Sequence, residues 1–154
     1  MFVRLHRIDD AIKEYHSALG IAPDNAKYWF NLGNAWRAEG RNGAATDAFS
    51  HAIDKNARWT APRYEMGTIL LELGRPAEAG RQAQTIVALD PGAISGHYLL
   101  ARAAAAIGRF DAATAAAAAA LDIARRASQE KTIRQMQDAL DACKAGRLPP
   151  APDP

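Results

Sequence analysis

Cysteine is almost absent: Cys143 stands alone in 154 residues. One thiol forms no intrachain disulfide, and with no second cysteine nearby it does not begin a zinc site. The four histidines, His6, His16, His51 and His97, are dispersed, and no H-E-x-x-H pair occurs. The glycines follow neither the dinucleotide pattern G-x-G-x-x-G nor the phosphate-loop pattern G-x-x-x-x-G-K-[ST], and there is no G-x-S-x-G elbow. The chain is therefore expected to be no enzyme and to use no cofactor and no metal. An excess of charge is missing too, the formal net charge being +2. Non-specific nucleic-acid binding needs Lys and Arg concentrated against phosphates, so no nucleic-acid partner is expected. Long apolar runs are lacking. The uncharged stretch around the alanines, Ala112 to Leu121, is closed by Asp111 and Asp122 after ten residues, whereas a membrane-spanning helix needs about 20. The opening "MFVRLHRIDD" has Arg4, Arg7, Asp9 and Asp10 where a signal peptide needs an apolar core. No membrane partner is expected, and a cytoplasmic location is the default.

What is present is a repeat. Shifted by 34 residues, Arg7 falls on Arg41, Arg75 and Arg109, and Ala11 on Ala45, Ala79 and Ala113. Leu19 falls on Ile53, Val87 and Leu121; Gly40 on Gly74 and Gly108; Leu32 on Met66 and Leu100; Gly33 on Gly67 and Ala101. Small, apolar, turn-forming and basic positions keep one register, which is the signature of stacked structural units. Each unit reads as two helices. Trp29, Leu32, Ala35 and Trp36 share one face of the first, which Asp24 or Asn25 can cap and Gly40 ends. Ala45, Ala48, Phe49, Ala52 and Ile53 form a stripe on the second. Gly33 or Gly67 opposite Ala45 or Ala79 allows close helix approach.

These residues resemble the tetratricopeptide repeat (TPR) family: "WFNLGNAW" from Trp29 to Trp36, Gly40, Ala45, Phe49, Ala52 and a closing Pro91. The resemblance covers roughly residues 1–127 and implies an all-α solenoid of antiparallel helix pairs. It comprises a partial unit 1–25, full units 26–59, 60–93 and 94–127, and a capping helix 128–146 opened by Ser128. A Pro-rich tail, 147–154, is expected to be disordered. It reads as inert, with a polyproline ligand for an aromatic groove as the alternative. Met1 falls inside the first helix of a unit. Only "MFVRL" of that helix remains, His6-Arg7 reads as its turn, and the next helix runs from about Ile8 to Gly20. A fragment, a late start, or an N-terminal edge that docks a partner or a second copy would each account for this, as would a stub that covers enough.

The resemblance also implies a function: a scaffold binding a peptide or partner helix on its concave, first-helix face. Helical spacing places Lys27, Asn31 and Asn34 on one such line, Glu65, Thr68 and Glu72 on the next, and Arg102 on the last. Phe30, Tyr64 and Tyr98 flank them. Asn31 and Asn34 offer donor and acceptor to a peptide backbone. A carboxylate clamp is not expected, because only Asn34 matches it. A TPR arm that positions substrate for a larger enzyme is the alternative from another class.

Overall fold

The computed structural model describes residues 2–151 and is all-α. Its helices among the described residues are α1 (Phe2–Ile21), α2 (Ala26–Ala38), α3 (Asn42–Lys55), α4 (Thr60–Glu72), α5 (Pro76–Leu89), α6 (Ile94–Ala106), α7 (Phe110–Arg126) and α8 (Glu130–Lys144). The chain forms two compact units, Met1–Ile69 and Leu70–Pro154, the division falling within α4.

The 34-residue glycine register has a backbone cause. Gly40, Gly74 and Gly108 adopt φ of 75°, 69° and 75°, the left-handed region in which a side chain is strained. The arginine after each glycine donates its N–H back to the last helical turn: Arg41 to Trp36 at 2.9 Å, Arg75 to Leu70 at 2.8 Å, Arg109 to Ala104 at 2.9 Å. These are Schellman-type closures, which satisfy helix-end carbonyls and reverse the chain.

Two expectations are corrected by the same rule. His6-Arg7 is no turn, because α1 runs unbroken from Phe2 to Ile21. The first copy of the register has His6 where the others have glycine, so nothing there favours the left-handed reversal and the helix propagates. Ser128 does not cap α8. It takes φ 53° itself, Gln129 is the N-cap residue, and no side chain caps that end. Ser128 serves as the left-handed residue that closes α7, with Gln129 N–H donating to Ala124 O at 3.2 Å. Of the two candidates at the start of α2, Asn25 is the cap, its Oδ1 accepting from Lys27 N–H at 3.0 Å.

In the first unit α1 packs on α2 and α2 on α3. Ile12, Leu19, Leu32 and Ala48 form one core cluster, with Trp29 and Trp36 against it, and Ala45, Phe49 and Ile69 form another. Trp29 is fixed at both ends: its Nε1 donates to Pro23 O at 2.8 Å, and its rings stack on His51 at 4.3 Å. In the second unit α5, α6, α7 and α8 pack in succession. One cluster joins Tyr98, Ala101, Ala104 and Ala105 of α6 to five α7 alanines (113, 116, 117, 120, 124) and Leu121, and to Met136, Ala139, Leu140 and Cys143 of α8. Burial pushes the Cys143 thiol up, which keeps it protonated and unreactive.

A candidate peptide-binding face

The first unit contains an open cleft of about 400 Å³ between α1 and α2. Arg7, Ile8, Ala11 and Tyr15 line it from α1, and Asn31, Asn34 and Ala35 from α2. The helical period explains the set. Residues 31, 34 and 35 lie three and four apart on α2, as do 8, 11 and 15 on α1, so each helix presents one row. Both asparagines are half-buried. Four apolar side chains, two amides and one guanidinium thus share one open cleft. An amide both donates and accepts, as a peptide backbone does.

The other sequence-selected residues of this unit lie elsewhere. Lys27 is exposed at the start of α2. Phe30 is not a groove edge: its ring lies 5.7 Å from Phe49 and 4.7 Å from Trp59, so it packs the second core cluster. Glu65 forms an ion pair with Arg37 of α2. Thr68 is 2% exposed and its hydroxyl donates to Glu65 O at 2.8 Å. Tyr64 is half-buried. A seven-residue line on a helix drifts toward its neighbours, and a large side chain at its margin, as Phe30 is, is drawn into the core.

Near the cleft, two acids meet. Asp9 of α1 hydrogen bonds the Glu39 carboxyl, which is raised above the ordinary carboxylate range; burial and the Asp9 charge add to this, and Arg41 at 3.9 Å works against it. A carboxyl raised in the folded state favours folding below its unfolded pKa, and that contribution is lost as pH rises through the folded value. Glu39→Gln is therefore expected to raise the melting temperature at pH 7, with the difference from the unaltered chain shrinking as pH falls through the carboxylate range. A melting-temperature difference that is constant across pH would rule out this pairing.

In the second unit the α6 face is occupied. Gly146, at φ 65°, and the Arg147 N–H, which donates to Ala142 O at 2.9 Å, turn the chain back after α8. Leu148 and Pro149 then share a cleft of about 150 Å³ with Leu71, Glu72, Arg102 and Ala106. Pro149 is buried. The Tyr98 hydroxyl donates to the Pro150 carbonyl, and Pro150 and Ala151 lie along Glu130, Lys131, Arg134, Gln135 and Asp138 of α8. Three residues selected from sequence, Glu72, Tyr98 and Arg102, are thus brought together with the chain's own tail. The expected disordered tail differs over 147–151, where it is seated; residues 152–154 lie outside the described residues. Sequence carried a partial signal for this in the unusual density of prolines after Gly146.

Among the described residues there is no helix long and apolar enough to cross a membrane, and no group of three or more His, Cys, Asp or Glu that could hold a metal.

Comparison with known proteins follows the same lines. A rat protein, DnaJ homolog subfamily C member 3 (Rattus norvegicus), is 28% identical over 85 residues, which is 55% of this chain and 17% of that protein. The chain thus matches less than a fifth of that relative's length. The crystal structure of MamA superposes with a TM-score of 0.77 at 18% identity, covering 92% of this chain and 74% of MamA. PcrH, solved in complex with the chaperone binding region of PopD, superposes with a TM-score of 0.72 at 17% identity, covering 80% of this chain and 93% of PcrH. Residues 2–58 and 64–130 match the family described as tetratricopeptide repeat, and with that match over most of its length the chain belongs to the tetratricopeptide repeat family.

Proposed function

We propose that the protein is a non-enzymatic interaction scaffold that binds an extended peptide or a partner helix along its first-helix faces. The observation that carries this reading is the α1/α2 cleft, in which Asn31 and Asn34 stand beside an apolar row. Among the described residues neither amide is engaged by another side chain or by backbone. Half-buried amides in a cleft have lost part of their water and gain most from a ligand backbone that replaces it. The fold supports the reading by analogy: PcrH, of similar architecture, was solved holding a binding region of PopD. The repeat register belongs to the same proposal: units 26–59, 60–93 and 94–127, a partial unit before them, and α8 as the capping helix, in a cytoplasmic protein.

The test is a peptide selection. Peptides selected from a random library on the immobilised chain should lose about tenfold or more in affinity for Asn31→Ala/Asn34→Ala, the equivalent of one or two amide–backbone hydrogen bonds at about 1 kcal/mol each. Far-UV circular dichroism should stay unchanged. Undiminished binding would move recognition off this cleft. A TPR arm of a larger enzyme is the second reading. It would use the same cleft to position a substrate protein.

A further inference from the structure

The tail seated on α6 has the properties of a ligand. Residues 148–151 read Leu-Pro-Pro-Ala and carry no charge. Pro149 and Pro150 have no N–H to satisfy and hold φ near −65°, so the segment is already extended and loses little entropy on docking. The seat matches that chemistry. It buries the Pro149 ring beside Leu71 and Ala106, leaves Leu148 61% exposed, and offers a hydroxyl donor, Tyr98, to the Pro150 carbonyl. With the tail in place Tyr98 is 3% exposed, and its hydroxyl donates to the tail's Pro150 carbonyl. Beyond Tyr98 the segment meets α8 side chains, so three helices and the tail converge within one unit.

Resting on the scaffold reading above, we propose that the α6 face of the second unit is a receptor for extended, uncharged, proline-containing peptide, and that the chain's own tail occupies it as a built-in competitor. The short connection through Gly146 holds the tail near its seat at an effective concentration on the order of millimolar. A partner peptide must displace it. With an intrinsic Kd of about 100 μM for the tail itself, an outside peptide would appear about tenfold weaker against the closed chain than against an open one. The recognised feature is a Pro-Pro segment with its first ring buried and the second proline's carbonyl at the Tyr98 position.

The experiment uses the full chain and a labelled synthetic peptide, Leu-Pro-Pro-Ala-Pro-Asp-Pro, corresponding to residues 148–154. In Pro149→Gly/Pro150→Gly the chain keeps its length, but its tail loses the buried ring and its stiffness. That variant should bind the peptide about tenfold more tightly than the unaltered chain. Adding Tyr98→Phe, which keeps the ring in the core, should weaken binding to the open variant several-fold with unchanged melting. Asn31→Ala/Asn34→Ala should leave this binding intact, which separates it from the first-unit cleft. Equal affinity for the open and unaltered chains would overturn the proposal, as would indifference to Tyr98→Phe or dependence on Asn31 and Asn34. If light scattering shows the unaltered chain to be a dimer that the glycine variant dissolves, the seat is filled by a second copy's tail, and competition within one chain is overturned.

Discussion

Gly33→Ala should destabilise the first unit by up to about 2 kcal/mol, although alanine is the better helix former. A Cβ built on Gly33 lies 2.6 Å from Phe49 Cε1 and 2.7 Å from Cδ1, well inside contact distance. The ring has nowhere to go: Phe49 is 0% exposed, with Ala45 and Ile69 beside it and the tilted Phe30 ring at 5.7 Å. Overpacking costs about 1–3 kcal/mol, and the gain from replacing a mid-helix glycine, about 1 kcal/mol, offsets only part of it. Phe49→Ala alone should cost about 3–5 kcal/mol. The decisive variant is Gly33→Ala in a Phe49→Leu background. With the ring gone, the clash disappears and helix propensity alone remains, so the sign of the Gly33→Ala effect should reverse to a small stabilisation. Trp29, Trp36 and Trp59 all lie in this unit, so urea denaturation followed by tryptophan fluorescence reads it directly. A Gly33→Ala effect of the same size in both backgrounds would show that Phe49 is not the opposing group.

Much of this contact was legible in the chain. The 34-residue register placed Gly33, Ala45 and Phe49 in the packing seam, because a close helix approach admits only small residues at fixed heights. The turns at Gly40, Gly74 and Gly108 were legible for the same kind of reason, since a left-handed backbone nearly demands glycine. Ser128 escaped because it breaks that demand. Gly96 escaped because its register partners are Tyr28 and Pro62; a Cβ there would stand 2.7 Å from Ile86 Cγ2, so α5 and α6 use a close approach with no counterpart in the repeat. The candidate site was legible only in part. Helical spacing put Asn31, Asn34, Tyr98 and Arg102 on first-helix faces, but a period says nothing about what else covers a face. Neither the contact of Phe30 with Trp59 nor the tail on Tyr98 follows from spacing, because both depend on segments outside the helix concerned.

Met136→Ala should cost the second unit about 2–4 kcal/mol, which follows from what the repeat loses there. In the register that seats Phe49 in the first unit, the second has Ala117, and its opposite position changes from Gly33 to Ala101. Large against nothing has become small against small. Ala101 and Ala117 are both 0% exposed, so the missing ring has left no solvent-filled gap. The volume is supplied from α8: Met136, 2% exposed, joins the same cluster, and Ile133 packs against it. An unbranched thioether suits an irregular gap between alanines. Removing it leaves a cavity in a cluster rich in alanines, whose single methyl groups cannot swing in to fill it, which puts the cost well above that of an exposed substitution. Ala117→Leu alone should also destabilise, by about 1–3 kcal/mol, because Met136 already fills the space. Ala117→Leu with Met136→Ala moves the bulk back from α8 to α7, and should be more stable than the sum of the two single changes by 1 kcal/mol or more, as coupled neighbours are. Far-UV circular dichroism during urea unfolding of the four proteins measures the coupling. Strict additivity would mean that Met136 and Ala117 do not share one space, and the alanine-rich helix would then owe its packing to something other than α8.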